Sequence, residues 1–116
     1  MRHFAKYIGL SYDELDCWKL VRKIYADEYG IEIPKLPIET QEAHNWNQIE
    51  LRAEEEGDLL VFRIKELKRH VGIVIADGRM IHSSNIAGVV VERYTGSVWS
   101  QRLSKIYRHK RYVSNR

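Results

Sequence analysis

The chain has one cysteine, Cys17, in 116 residues, so no disulfide can close within it and the fold does not require an oxidising compartment. Proline is almost as scarce: Pro34 and Pro37 stand close together and no other occurs. No apolar run approaches the roughly 18 residues of a membrane helix, which predicts no membrane span. The opening MRHFAKYIGLSYDE lacks the apolar stretch of an export signal. Cytoplasmic synthesis without a signal peptide is therefore expected, and any role outside the cell would need another carrier. Repeats and low-complexity tracts are missing too.

What is present suits a packed core. Hydrophobic residues make up 44% of the chain, with seven tyrosines and three tryptophans to fill space. The length allows one core, hence a single domain over 1–116. Acid is missing from one end: seven of the 19 Lys and Arg follow Glu92, where no Asp or Glu remains. The residues up to Glu92 hold the other 12 bases against 16 acids. The basic tail predicts a final edge strand, 106–113, whose charges discourage pairing with other chains. A polyanion is the alternative reading of such a patch, but no nucleic-acid motif accompanies it.

The patterning begins with a short helix or irregular entry over 4–16. From Cys17 it sharpens: Cys17, Leu20, Val21, Ile24 and Tyr25 share one helical face, Asp16 is placed to cap its start, and Gly30 ends it. A weaker helix is predicted over 39–55, with Ala43, Trp46, Ile49 and Ala53 as its stripe; His44 within it is assigned no chemistry. Strands follow at 58–64, on both sides of the Asp77-Gly78 turn within 70–84, at 88–94 and at 106–113. Helices first and strands afterwards give an α+β fold, its cysteine-bearing helix packed on a mostly antiparallel sheet of about five strands.

A cysteine at a helix start meets unpaired N–H groups and the positive end of the helix dipole, which predicts a lowered thiol pKa. The same N–H groups suit a developing oxyanion. His70 and His82, at the two ends of an apolar hairpin, supply imidazoles for a thiol nucleophile. A three-residue turn at 77–79 would set His82 opposite Val74, ~13 Å along the strands from His70. Contact between the histidines would then need a bulge or another register.

In order, GLSY, DCWKLVRKIY, GIEIP, GDLLVF, HVGIVIADGRMIHSS and GVVVER resemble the NlpC-type cell-wall cysteine peptidases, a compact branch of the papain-like enzymes. The resemblance spans about residues 7–108. It implies Cys17 as nucleophile, His70 as general base and His82 as the group that orients His70. Tyr12 resembles a tyrosine beside the catalytic pair, near the substrate's free amine, and Asp16 joins it as a candidate substrate-binding residue. The implied reaction cuts peptidoglycan stem peptides, typically between D-glutamate and a diamino acid, without metal or organic cofactor. Trp18 after the cysteine and a short link from GLSY to Asp16 look like the single-domain forms of bacteriophage tail tips. That implies a virion component acting in wall penetration beside other tail proteins. The rival readings are a structural tail subunit that no longer cuts, and a zinc or nucleic-acid binder, for which ligand spacing and motifs are lacking.

Overall fold

The computed structural model describes residues 4–34, 45–65, 68–96 and 98–111. A 3-10 turn at Ala5–Tyr7 leads through a loop to helix α1, Cys17–Ile24. Asp16 caps α1, its Oδ1 accepting from the Lys19 amide at 2.9 Å. The last turn widens over Tyr25–Tyr29 and stops at Gly30, whose φ of 67° is the left-handed C-terminal position. No helix among the described residues is long and apolar enough to cross a membrane.

Six strands follow: β1 Trp46–Ile49, β2 Leu59–Lys65, β3 Lys68–Ala76, β4 Arg79–Ser84, β5 Gly88–Arg93 and β6 Leu103–His109. A five-residue helix, α2, Val98–Arg102, precedes β6. The sheet order is β1-β6-β2-β3-β4-β5, and every neighbouring pair is antiparallel. This is α+β, with α1 lying on β3 and β4.

Two predictions fail here. Where the second helix was expected, the chain makes β1; residues 39–44, with Ala43 and His44, lie outside the described segments. Trp46 and Ile49 fit a helical stripe, but Trp46 is buried against Tyr25 and His109, with ring centroids 5.6 and 4.8 Å away, once β1 pairs with β6. Tertiary pairing overrides a weak local pattern. The basic terminal strand is also not an edge, because β6 runs between β1 and β2. Its Arg108 forks onto buried Asp58 with two 2.8 Å bonds, so part of the tail's charge is internal compensation. Residues 112–113 of the predicted strand are outside the described segments.

The sheet has two apolar faces. Leu59, Val61, Ile73, Ile81 and Val89 pack with Leu20, Val21, Ile24 and Tyr25 beneath α1. Leu60, Phe62, Val74, Met80, Tyr94 and Ile106 form a second cluster on the other side, with Trp99 of α2 and Leu103 packed on it. Alternation along each strand divides the residues between these layers.

The hairpin register is the detail that matters most. Ala76 pairs with Arg79 across a two-residue turn, Gly78 taking φ 73°, and the ladder slips between Val74 and Ala76. Met80 therefore stands opposite Val74, and Ile81 opposite Ile73. Relative to the predicted turn, His82 moves two residues along, beside Gly72 and only one same-face step from His70. Gly72 makes this fit. A Cβ there would lie 2.8 Å from Met80 Sδ and 3.3 Å from His82 Cβ.

Candidate active site

The loop before α1 is fastened to β4 and β5. Gly9 N–H donates to the Val89 carbonyl at 2.9 Å, Val89 N–H donates to Leu10 O at 2.9 Å, and the buried Ser83 hydroxyl donates to Leu15 O. Gly88 has φ 76°, and a Cβ on it would meet Leu10 O at 2.5 Å, so only glycine admits the loop at this distance. These ties fix where Asp16 releases the chain into the helix and hence where Cys17 stands.

A cleft of about 300 Å³ opens at that point, lined by Tyr12, Cys17, His70 and His82, with Arg69, Trp99 and Arg102 around it. Four of the five candidate residues thus share one cavity. Asp16 is not among its lining residues, and its carboxylate serves the helix cap. The Cys17 sulfur is hydrogen-bonded by backbone groups of Val71, the residue after His70, and of Trp18 and Cys17 at the helix start.

The expected fall in the thiol pKa is not found. Burial pushes the Cys17 thiol up; the three backbone bonds oppose this, and the neighbouring Asp16 charge adds to it. Desolvation of a thiolate outweighs the helix terminus. Burial also raises Tyr12, helped by the nearby Cys17 and Asp16.

The two histidines meet. His70 Nε2 lies 2.7 Å from His82 Nδ1, and the rings stand edge to face with centroids 4.9 Å apart. His82 is buried, and burial holds its pKa below the ordinary 6.5 although the Glu92 carboxylate pulls the other way. Glu92 Oε2 is 2.6 Å from His82 Nε2. Trp99 lies over the pair, stacked on His70 at 5.3 Å and 25° and edge-on to His82 at 5.2 Å. Its indole N–H donates to Glu92 Oε1 at 3.4 Å.

Glu92 and Trp99 escape the sequence reading. Glu92 looks like the solvent-side charge of a strand, and Trp99 has no periodic neighbours to place it. One signal was available: the short link from Ser84 to Gly88 pairs His82 with Val90, which makes Glu92 the diagonal neighbour of His82 on the same face. Among the described residues, no group of three or more His, Cys, Asp or Glu is arranged to hold a metal ion.

Residues 5–108 match the model of the NlpC/P60 family. The chain belongs to that family. NlpC/P60 relatives with curated functions include a murein DD-endopeptidase/murein LD-carboxypeptidase, MepS, of Escherichia coli K12, 30% identical over 116 residues. That match covers 93% of this chain and 60% of the relative. A probable endopeptidase of Haemophilus influenzae is 26% identical over 102 residues, covering 86% and 62%. This chain therefore spans about 60% of the length of the curated relatives it matches.

Solved NlpC/P60 structures share the fold. A lipoprotein-like member from Staphylococcus aureus superposes with a TM-score of 0.71 at 22% identity, covering 90% of this chain and 38% of that one. The NlpC/P60 domain of the peptidoglycan hydrolase SagA gives 0.64 at 25%, covering 88% and 89%. The papain-like α+β architecture is thus that of the family.

Proposed function

We propose that this chain is a cysteine endopeptidase of peptidoglycan stem peptides, with Cys17 as nucleophile, His70 as general base and His82 orienting His70. The observation that carries this reading is the 2.7 Å bond between His70 and His82 at a cleft that also holds the Cys17 sulfur. Membership of a family of peptidoglycan hydrolases supports the substrate class.

Burial raises the thiol pKa, so in this reading the resting sulfur is a thiol. Proton transfer to His70 then accompanies attack of the sulfur on the scissile carbonyl. The carbonyl oxygen becomes an oxyanion beside the N–H groups at the start of α1. Collapse expels the amine, which takes the proton back from His70, and leaves a thioester on Cys17. Water, activated by the same imidazole, hydrolyses it. Tyr12, on the cleft wall, and Asp16 are assigned to the substrate, and the bond cut is assigned between D-glutamate and a diamino acid.

The proposed setting is a bacteriophage tail tip, where the enzyme opens the wall locally beside other tail proteins. Trp18 and the short link from Tyr12 to Asp16 favour this form; the Trp18 indole donates to Pro34 O at 3.0 Å and so anchors the segment after the helix. Digestion of purified peptidoglycan, followed by mass analysis of the released peptides, tests the activity and names the bond. New D-glutamate and diamino-acid termini with wild type, and none with Cys17→Ala, are the expected result. An unchanged digest with wild type overturns it. The structural-subunit reading has the half-buried, high-pKa thiol in its favour, and virions carrying Cys17→Ala decide between the two. Normal tails with lost infectivity support the enzyme; full infectivity supports the subunit.

A further inference from the structure

His82 poses a problem that an amide or carboxylate in its place would not. A neutral imidazole carries its proton on either nitrogen, and the two choices have opposite consequences for its partner. If His82 Nδ1 holds the proton, it donates to His70 Nε2. The His70 proton is then forced onto Nδ1, and no lone pair remains on that ring for the thiol. If His82 Nε2 holds the proton, Nδ1 accepts from His70 Nε2–H, and His70 Nδ1 is left as a base. The histidine pair by itself does not choose.

Glu92 makes the choice. An ionised carboxylate has no proton to donate, so at 2.6 Å from His82 Nε2 it demands the N–H there. We propose that Glu92 is a positioning residue of this site, setting the tautomer of His82 and through it keeping Nδ1 of His70 unprotonated, the form that can take the thiol proton. This rests on the reading of Cys17 and His70 as nucleophile and base. The carboxylate is held on both oxygens: His82 takes Oε2, and the Trp99 indole, whose ring stacks on His70, takes Oε1. Its negative charge also lies at the far end of the chain His70–His82–Glu92, where it favours the imidazolium formed on His70. Arg69 and Arg102 are the other charged side chains around the cleft, and neither can serve as acceptor for a histidine N–H.

Glu92 is itself 43% exposed on β5, a strand at the edge of the sheet, so its substitution leaves the core intact. The experiment reads the ring nitrogens and the thiol without any wall substrate. Proton–nitrogen correlation spectra of the histidine rings assign the tautomers in wild type, Glu92→Ala and Glu92→Gln. Alkylation by iodoacetamide across pH measures the reactivity of Cys17 in each.

Wild type is expected to hold His82 protonated on Nε2 and His70 on Nε2. In Glu92→Ala, His82 divides between tautomers and alkylation near neutral pH slows by about tenfold to a hundredfold. Glu92→Gln, which restores an acceptor oxygen without the charge, falls between the two. A Glu92→Ala protein with the wild-type tautomer and a superimposable reactivity profile overturns the proposal, even if wild type digests peptidoglycan. A Glu92-dependent thiol in a protein that leaves peptidoglycan intact upholds the proposal while removing the assigned substrate.

Discussion

Asp58 and Glu92 are both carboxylates that tie neighbouring strands together, yet they are built to opposite ends. Asp58 is fully buried, takes both arms of the Arg108 fork at 2.8 Å and also accepts the Glu55 amide at 2.8 Å. Its partner carries a fixed positive charge on a planar fork, and the bonds the pair makes stay within the fold, away from the cleft. Glu92 is half exposed and faces a histidine whose charge and tautomer both vary, and the chain it starts ends at the cleft beside Cys17. A buried carboxylate satisfied by a fixed cation holds the fold; a half-exposed one whose hydrogen bonds lead in series to a cavity is the one we propose to control a state there. Substitutions at the two sites should therefore separate stability from reactivity.

The largest effect is expected at the open end of the chain. Cys17→Ala should abolish hydrolysis, and His70→Ala should lower kcat/KM by about 10²–10⁴-fold, with melting temperatures near that of wild type. Assays of peptide release alongside thermal melts check both halves. Asp58→Ala should show the reverse. Removing the buried carboxylate that both arms of Arg108 grip, with Glu55 at 3.9 Å remaining, is expected to cost about 3–5 kcal/mol, read from urea unfolding, while the fraction that stays folded keeps its thiol reactivity. If Asp58→Ala instead slowed the thiol at full stability, the division between the two carboxylates would fail.

How far the sequence discloses this arrangement follows from how local each part is. Helix α1 was legible because its apolar face, the Asp16 cap and the Gly30 stop all lie within fifteen residues of chain. The strands of the 68–84 hairpin were legible for the same reason, but the ladder slip between Val74 and Ala76 was not, and that slip is what brings His82 to His70. The family resemblance supplied the pairing that periodicity could not. Trp46 and the basic tail were misread because their partners, β6 for one and Asp58 for the other, are distant in sequence. The thiol was misjudged because a helix terminus is visible in sequence and depth of burial is not.

A smaller effect is expected on the acid side, where the two carboxylate sites should again part. Burial lowers the His82 pKa from its ordinary 6.5, so the folded protein prefers the neutral ring. The sign follows from linkage: the contribution to stability is whole above about 6.5 and is lost as pH falls through the lower folded value. Over that window His82 gains a proton on Nδ1 and ceases to accept from His70, so the base role proposed for His70 should be lost. Thiol reactivity should therefore show an acid limb below 6.5, accompanied by falling stability, and His82→Asn should remove the histidine's share of both. An acid limb that persists unchanged in His82→Asn would assign it to another group.

The smallest effect tests the terminus of α1, where cap and charge pull in different directions. Asp16 raises the Cys17 pKa through its charge while its side chain holds the Lys19 amide. Asparagine caps a helix about as well as aspartate, so Asp16→Asn keeps the hydrogen bond and deletes only the charge. The alkylation midpoint of Cys17 should move to lower pH, with stability changed by no more than a few tenths of a kcal/mol. Because the assay uses no wall peptide, it separates this electrostatic role from contact with substrate. If Asp16 binds substrate as well, the same variant raises KM for peptide hydrolysis although its thiol ionises more readily. A lower midpoint with unchanged KM would leave Asp16 as a helix cap and a brake on the thiol, and Tyr12 as the cleft residue assigned to the substrate.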